Sequence, residues 1–255
     1  MKYNIEYAAL CHKGKVRAKN QDNLWCNGVF LNSKNEGLPE MVAGMVRALD
    51  LPAFAVFDGM GGEQQGEMAA YIAASGFDRA YVEGQKGNPG QFLSDTCAGM
   101  NSGICQYAKE NRIRQMGTTA AILMFPEKDV FVCNIGDSRV YQYSGKKLAQ
   151  ISRDHSETGV TGRKPPLTQN LGIPEDEFLI EPYMAKGSYR AGDRYLICSD
   201  GLTDMLTDHE IYYIISTQKS VANAVRVFVN MALEKGGVDN ITVILCEVQK
   251  QRLFF

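Results

Sequence analysis

The sequence predicts an α+β fold in which antiparallel β-sheets carry helices on their outer sides. Strand-like and helix-like segments come in groups along the chain: strands, two helices, strands, two helices and a final strand. Such grouping is typical of antiparallel sheets, whereas a parallel sheet requires strands and helices in alternation. Because we find no internal repeat, low-complexity tract or linker, we expect residues 1–255 to form one domain.

The first half of the chain predicts three strands and two helices. Residues 3–10 and 24–31 are rich in aromatic and branched apolar residues, as strands are, and a third apolar run leads into Asp58. The stretch between the second and third strands has no clear assignment. Two later segments have the length and apolar spacing of helices, although internal glycines lower their helix propensity: residues 67–82 and 91–112.

The chain then returns to strands. Four apolar runs are joined in pairs by the short turns PEKD and SGKK: residues 118–125, 130–136, 139–143 and 148–152. Connections this short join neighbouring antiparallel strands as hairpins. A fifth run occupies residues 194–200.

Two helices and one strand complete the predicted fold. Thr207 and Glu210 have the spacing of a capping box, which predicts a short helix that begins at the next residue after Thr207. A second helix is predicted from about Ser220, with one apolar stripe and with Gly236 as its C-cap. The last strand is predicted over residues 241–247.

Composition and charge limit the classes of function. The chain is 45% hydrophobic, which is enough for a large core, and its formal charge of −2 lacks the basic excess of a nucleic-acid-binding protein. No run is long and apolar enough for a membrane span, and the N-terminus lacks the pattern of a signal peptide. The seven cysteines include no CxxC pair, so we expect buried free thiols. We therefore expect a cytoplasmic monomer without membrane association.

Four apolar runs each meet an acidic residue in a turn of small residues. The acidic residues are Asp58, Asp137, Asp200 and Asp239. An antiparallel arrangement of the strands brings all four to one rim of the fold. Buried carboxylates repel one another unless a cation lies among them. The sequence therefore predicts a metal site.

The residue types around this site indicate the metal and the reaction. Only three histidines occur, which argues against zinc, whereas Mg²⁺ and Mn²⁺ prefer oxygen ligands. Two such ions about 3.5–4 Å apart activate a shared water for attack on a phosphate ester. The glycines after Asp58 let a main-chain carbonyl join the ligands. Arg17, in a basic segment shortly before Asp22, offers a planar fork for phosphate.

Six motifs together resemble the metal-dependent type 2C serine/threonine protein phosphatases, particularly those of bacteria. They occur in the family's order and span nearly the whole chain: RAKNQDN from Arg17, FDGMGG from Phe57, MGTTA from Met116, NIGDSR from Asn134, AGDRYLICSDGLTD from Ala191 and GGVDNITVI from Gly236. The resemblance implies an α-β-β-α sandwich, in which two antiparallel sheets pack face to face between helix pairs. It also implies Mn²⁺- or Mg²⁺-dependent dephosphorylation of phosphoserine and phosphothreonine in proteins, opposite a cognate serine/threonine kinase.

The resemblance also implies roles for individual residues. Asp58 bridges two metal ions, and the Gly59 carbonyl binds one of them. Asp200 and Asp239 complete the other metal site, with Asp22 close by. Arg17 clamps the substrate phosphate.

A third, weaker metal is implied at Asp137 and Asp204, together with Asp200. Animal members carry His where this chain has Met60, and Met cannot act as a general acid. The segment 154–191 is shorter than its counterpart in bacterial relatives, and its Gly and Pro content predicts a mobile loop over the cleft.

Three alternatives remain open from the sequence. One is a dimetal phosphomonoesterase that acts on a small molecule. Another is an inactive relative that binds phosphoproteins, against which the complete set of carboxylates argues. The third is a structural cation-binding module, which has no reason to place Arg17 beside the metals.

Overall fold

The computed structural model describes residues 2–60, 65–84, 87–157 and 165–251. The strands are β1 (Tyr3–His12), β2 (Asp22–Cys26), β3 (Val42–Arg47), β4 (Ala53–Met60), β5 (Gly117–Thr118), β6 (Ala120–Met124), β7 (Asp129–Ile135), β8 (Arg139–Ser144), β9 (Lys147–Gln150), β10 (Tyr183–Ser188), β11 (Arg194–Cys198) and β12 (Ile241–Lys250). The helices are α1 (Gly66–Glu83), α2 (Pro89–Glu110), α3 (Asp200–Thr203), α4 (Asp208–Thr217) and α5 (Val221–Glu234).

The strands form two antiparallel sheets. The first sheet has six strands in the order β3-β1-β12-β11-β8-β9. The second has the order β10-β7-β6-β4-β2, and β5 pairs with the end of β4 beside this path. The first and last strands of the chain are neighbours in this sheet, because β1 pairs with β12 over its whole length.

Three apolar layers hold the sandwich together. Side chains from both sheets, such as Ile5, Val56 and Ile244, form the central layer between the sheets. A second layer joins the β4 sheet to α1 and α2, and a third joins the β12 sheet to α4 and α5. Burial of each large apolar side chain contributes about 1.5–3 kcal/mol, so these layers supply most of the stability. The predicted α-β-β-α sandwich is confirmed.

Both long helices are confirmed near their predicted bounds. The helix predicted at residues 67–82 is α1, and the helix predicted at residues 91–112 is α2. Helix α2 begins early because Pro89 occupies its first turn and Asn88 caps it by accepting a hydrogen bond from the Gly90 amide at 2.8 Å.

The predicted capping box at the start of α4 is confirmed. Thr207 Oγ1 accepts from the Glu210 amide, and Glu210 Oε2 accepts from the Thr207 amide at 3.0 Å. Lys235 and Thr207 lower the pKa of Glu210 to about 2. Because this pKa lies below that of the unfolded chain, the stabilisation is present above about pH 4.5 and is lost as the pH falls toward 2.

Helix α5 begins after Ser220, as predicted, but its C-terminus differs by one residue. Lys235 is the C-cap, and Gly236 follows it with a positive φ of 131°. The next amide, of Gly237, donates to the Ala232 carbonyl at 3.0 Å and closes the helix end.

The largest departures from prediction lie at weakly patterned strands. The strand predicted over residues 24–31 ends at Cys26, because a tight turn with positive φ at Asn27 and Gly28 follows it. The unassigned stretch before β4 contains β3 and a short 3-10 helix, Ala48–Asp50. The strand predicted over residues 118–125 is divided into β5 and β6, and strand β10 and the single-turn helix α3 have no counterpart in the sequence-based prediction.

The cysteines agree with the expectation of free thiols. All seven cysteines are free thiols, and Cys133, Cys198 and Cys246 are fully buried within strands. Within the described residues, no helix combines the length and apolar character that crossing a membrane requires.

We expect Thr207→Ala to lower the free energy of unfolding by about 1 kcal/mol, because the first turn of α4 loses its side-chain cap. Urea unfolding measures the change as a lower midpoint with an unchanged slope. The matched control is Thr217→Ala, which removes a hydroxyl bonded to Tyr213 within the same helix. Its expected change stays within about 0.5 kcal/mol. An equal loss in both variants would contradict the capping role.

Candidate active site

Asp22 and Asp58 lie opposite each other on neighbouring strands. Asp22 begins β2, Asp58 lies in β4, and the two residues are direct cross-strand partners. Side chains directly opposite in an antiparallel pair are close neighbours, and like charges there destabilise the sheet. The pair therefore favours a cation between the two strands. Contrary to prediction, β4 does not end at Asp58, because Gly59 and Met60 continue the strand against β5.

Asp22 is held in place by hydroxyl groups from the other sheet. Its Oδ2 accepts hydrogen bonds from Ser199 Oγ at 2.7 Å and from Thr242 Oγ1 at 2.6 Å. Asp22 and both hydroxyl residues are buried. Ser199 and Thr242 were missed by the sequence analysis, although each lies within three residues of a predicted ligand. This small network joins the two sheets beneath the site.

Arg17 lies among three of the predicted metal ligands. Its Nη2 donates to Asp239 Oδ2 at 2.6 Å. This hydrogen bond raises the pKa of Arg17 against the opposing effect of burial, and the charges of Asp239, Asp58 and Asp22 raise the pKa further. The guanidinium therefore balances negative charge at the place where the sequence predicts metal ions.

Asn240 fixes the loop that carries Arg17. Its Oδ1 accepts from the Gln21 amide at 2.8 Å, and its Nδ2 donates to the carbonyls of Lys13 and Lys19 at 2.7 and 3.0 Å. The backbone amide of Asn240 also donates to Asp239 Oδ1 at 2.8 Å. One buried side chain thus sets the position of Arg17 relative to Asp239.

Asp200 and Asp239 are brought together by a close backbone approach. Asp200 is the first residue of α3 and is 7% exposed. The next residue, Gly201, lies so near the Asn240 carbonyl that a Cβ there would be 1.9 Å from the oxygen. Only glycine fits this position, which places the start of α3 against the turn that carries Asp239.

Gly59 occupies an equally crowded position next to Asp58. Its amide donates to the Gln21 carbonyl at 3.1 Å, and a Cβ there would lie 2.2 Å from the Gly66 carbonyl at the start of α1. A side chain is therefore excluded at this position, which allows the start of α1 and the Gln21 backbone to pack directly against the residue after Asp58. The remaining glycines of the motif, residues 61 and 62, lie outside the described residues.

Asp137 and Asp204 are connected to the same centre through their neighbours. Asp204 caps the C-terminus of α3, and its amide donates to the Asp200 carbonyl at 2.7 Å. Asp137 lies in the β7–β8 turn. The adjacent Ser138 hydroxyl is 2.7 Å from Thr119 Oγ1, which in turn accepts from the Asp58 amide at 3.0 Å.

The oxygen-rich set of residues fits hard divalent cations. Carboxylates and main-chain carbonyls are the ligands that Mg²⁺ and Mn²⁺ prefer, and Arg17 already places a positive charge beside the carboxylates. In the part of the chain that the structure describes, no three His, Cys, Asp or Glu side chains are close enough to hold one ion by themselves. Mg²⁺ needs only one or two carboxylates because it keeps several waters, so the paired arrangement suits it.

Two histidines near the site support loops. His12 Nδ1 accepts from the Gly14 amide at 2.9 Å, and His155 Nδ1 accepts from the Gly136 amide at 3.1 Å. Burial lowers the pKa of His155, which favours the neutral imidazole that accepts this bond.

The segment predicted as a loop over the cleft is anchored where it is described. Leu171 exchanges two backbone hydrogen bonds with Thr118, at 2.9 and 3.0 Å. Asn101 of α2 accepts from the Gly172 and Ile173 amides and donates to the Ile173 carbonyl. Residues 158–164 of this segment lie outside the described residues.

Comparisons with known proteins agree with the fold. Residues 44–242 match the family model described as protein phosphatase 2C. The chain is 30% identical to the serine/threonine phosphatase stp of Listeria monocytogenes, over 92% of both chains. It is 28% identical to the serine/threonine protein phosphatase PstP of Mycobacterium tuberculosis, over 96% of this chain and 45% of that protein.

A solved structure extends the similarity to three dimensions. The catalytic domain of PstP, in complex with two manganese ions, superposes with a TM-score of 0.78 at 27% identity, over 97% of this chain and all of that one. The arrangement of the two sheets and the outer helices is thus shared with a known member. The chain belongs to the protein phosphatase 2C family.

Proposed function

We propose that this protein is a metal-dependent protein phosphatase that hydrolyses phosphoserine and phosphothreonine monoesters. One observation carries the proposal: the guanidinium of Arg17 faces Asp239, Asp58 and Asp22 at the meeting point of both sheets. A phosphate-binding cation beside several carboxylates is what metal-assisted phosphoester hydrolysis requires. The relatives with matching motifs are named serine/threonine phosphatases.

The metals are Mn²⁺ or Mg²⁺, as in the relative with two bound manganese ions. We assign Asp22, Asp58, the Gly59 carbonyl, Asp200 and Asp239 to two ions, and Asp137 and Asp204 to a third, more weakly held ion. When bound, the ions neutralise phosphate charge and lower the pKa of the water that attacks phosphorus. The chain itself supplies the ligands, orients the phosphate and keeps the carboxylates in place through buried hydrogen bonds.

Arg17 is assigned to the substrate phosphate. Its guanidinium has a planar fork that matches two phosphate oxygens, and it is half exposed in the ion pair with Asp239. We propose that Arg17 exchanges Asp239 for phosphate when substrate binds. Asn240 supports this exchange because it fixes the loop on both sides of Arg17 without contacting the guanidinium.

The alternative functions are less well supported. The relatives that match along the chain are named protein phosphatases, which favours a phosphoprotein over a small molecule. An inactive relative requires loss of metal ligands, but each carboxylate predicted from the motifs is present. A structural cation module leaves the position of Arg17 without an explanation.

We further propose the cellular setting expected from the sequence. Substrates are phosphorylated proteins, opposed by a cognate serine/threonine kinase, and residues 1–255 form one catalytic domain that acts as a monomer. The central apolar layer supports one domain, because it joins β1 at one end of the chain to β12 at the other. Seven free thiols support a reducing compartment such as the cytoplasm.

The carboxylate assignments predict loss of metal binding without loss of fold. Asp58→Asn and Asp239→Asn keep the side-chain shape and remove a ligand charge, so each variant should lose at least about a hundredfold of kcat/KM at limiting Mn²⁺. Calorimetric titration with Mn²⁺ measures the binding independently of activity. Asp129→Asn is the control, since Asp129 pairs with Lys186 far from the site. Wild-type affinity for Mn²⁺ in either site variant would refute the assignment.

Arg17→Ala should raise KM for a phosphothreonine peptide more than it lowers kcat. Loss of a charged, two-pronged hydrogen-bond donor weakens ground-state binding by about 1–3 kcal/mol. Arg17→Lys keeps the charge but not the planar fork, and should recover only part of the affinity. Steady-state kinetics on the three proteins provides the comparison. An unchanged KM in Arg17→Ala would remove Arg17 from the phosphate site.

Asp204→Ala should distinguish the role of the third metal ion in the reaction from the roles of the two tightly bound ions. We expect the variant to keep tight Mn²⁺ binding and the fold, but to lose much more activity toward a phosphopeptide than toward an aryl phosphate. The reason is that an alkoxide leaving group needs a proton, whereas a phenolate departs without one, and Met60 cannot donate. Equal losses on both substrates, or loss of the tight sites in the titration, would contradict this division.

A further inference from the structure

A large cleft begins beside the catalytic centre and extends along α2. It has a volume of about 1410 Å³ and starts at Met60, two residues after Asp58. Small-molecule sites usually have volumes of roughly 300–1,000 Å³. The cleft therefore has room for a polymer that extends away from the phosphate position.

The floor of the cleft is one face of α2. Ser102, Cys105, Gln106 and Lys109 line it, and their spacing of three, four and seven residues places them along a single helical stripe. Except for Cys105, these side chains are exposed. The floor is consequently polar and accessible along about two helical turns.

One wall is the connection from α2 back to the catalytic strands. Residues Ile113 to Gly117 form it, and Gly117 pairs directly with Met60. Two exposed basic side chains line the cleft: Arg114 from this wall and Lys109 from the floor. The end of this wall is thus fixed to the strand that carries Asp58.

The opposite wall, residues 170–177, is anchored by a buried side chain of α2. Asn101 is 2% exposed and makes three hydrogen bonds to this wall: it accepts from the Gly172 and Ile173 amides at 2.7 and 3.1 Å and donates to the Ile173 carbonyl at 2.9 Å. Leu171 adds two backbone hydrogen bonds to Thr118. These bonds hold the wall in place next to β5 in the absence of substrate.

The anchored wall is strongly acidic at its outer end. Glu175, Asp176 and Glu177 follow one another in a turn closed by the Glu177 amide on the Pro174 carbonyl at 3.0 Å. Asp176 and Glu177 line the cleft together with Cys105 of the floor. Burial raises the pKa of Cys105, and the charges of the three carboxylates raise it further. Within the described residues, Asp176 and Glu177 have no ion-pair partner.

We propose that this cleft binds the polypeptide beside the phosphorylated residue, and that Asp176 and Glu177 select substrates with a basic side chain in that segment. The inference rests on the proposed phosphatase function and names its substrate class. The cleft is continuous with Met60, so a chain that leaves the phosphate site enters it directly. The carboxylates follow the anchored part of the wall by several residues, and they offer negative charge to a basic side chain of the bound segment.

A peptide panel tests this specificity. The probes are phosphothreonine peptides that carry Arg, Ala or Glu at each of the four positions on either side of the phosphothreonine. For wild type we expect a KM roughly three- to tenfold lower with Arg than with Glu at one or two positions on one side, as for two partly exposed ion pairs. The double variant Asp176→Lys with Glu177→Lys should reverse the preference at those positions. High salt should reduce the preference in both proteins.

A matched control separates local recognition from net charge. Glu40→Lys with Glu234→Lys makes the same charge change at exposed residues outside the cleft, and should keep the wild-type order of peptides. Hydrolysis of an aryl phosphate by each sample shows that its catalytic centre is intact. Equal KM for Arg and Glu peptides in wild type, or the same reversal in the control, would overturn the specificity and leave the phosphatase function standing. If the protein hydrolysed the aryl phosphate but no phosphopeptide, the proposed activity on phosphorylated proteins would be overturned instead.

Asn101→Ala tests whether the wall is anchored as described. Hydrogen exchange should accelerate at the amides of Gly172 and Ile173, and KM for the preferred Arg peptide should rise while kcat changes less. Asn111→Ala is the control, because the Asn111 side chain donates to the Tyr107 carbonyl within α2 itself and not to the wall. Unchanged exchange at both amides, or an unchanged KM with a released wall, would overturn the role of this wall in binding.

Discussion

The arrangement of this molecule depends on one electrostatic constraint: several carboxylates meet at the junction of two sheets and need positive charge among them. Asp22 and Asp58 face each other across neighbouring strands of one sheet, whereas Asp200 begins α3 just after β11 and Asp239 lies in the turn just before β12 of the other sheet. Repulsion between such groups raises their pKa values or drives them apart unless a cation is present. Arg17 supplies one positive charge, and metal ions supply the rest in the active protein. The surrounding hydrogen bonds keep the carboxylates close in spite of this repulsion. The Ser199 and Thr242 hydroxyls hold Asp22, and the Asn240 side chain holds the loop that carries Arg17.

Much of this arrangement could be predicted from the sequence, because the ligands lie in short motifs at the ends of apolar runs. The helices were also predictable, since α1, α2 and α5 have long apolar stripes and α4 has a capping box. Strand β3 was not, because it is an edge strand with alternating half-buried and exposed residues and a glycine at its centre. Strand β10 contains Lys, Gly and Ser, and its hydrogen bonds to β7 rather than its own composition make it a strand.

The residues missed at the site are those whose partners are distant in sequence. Ser199 and Thr242 bond to Asp22 across 177 and 220 residues, and hydroxyl residues are too common for such a pairing to be recognised locally. Asn101 is a polar residue within a helix, and its partners lie 71 and 72 residues away. The register between β2 and β4, which pairs Asp22 with Asp58, likewise depends on tertiary contacts and not on local sequence. Local patterns thus predicted the ligands, whereas the network of hydrogen bonds around these residues depends on tertiary contacts.

The position of Arg17 links the two kinds of binding that the reaction needs. While the guanidinium is paired with Asp239, that carboxylate is already neutralised, so metal binding has to compete with the ion pair. In the mechanism proposed above, a cation bound at Asp239 would compete with the guanidinium for this carboxylate and so favour the exchange of Asp239 for phosphate. Metal binding would then increase the affinity for phosphate, and thermodynamic linkage requires that phosphate binding increase the affinity for metal by the same factor. The proposed assignment thus gives Arg17 two roles, pairing with Asp239 in the metal-free protein and coupling metal occupancy to substrate binding, and Asn240 holds the loop on both sides of it.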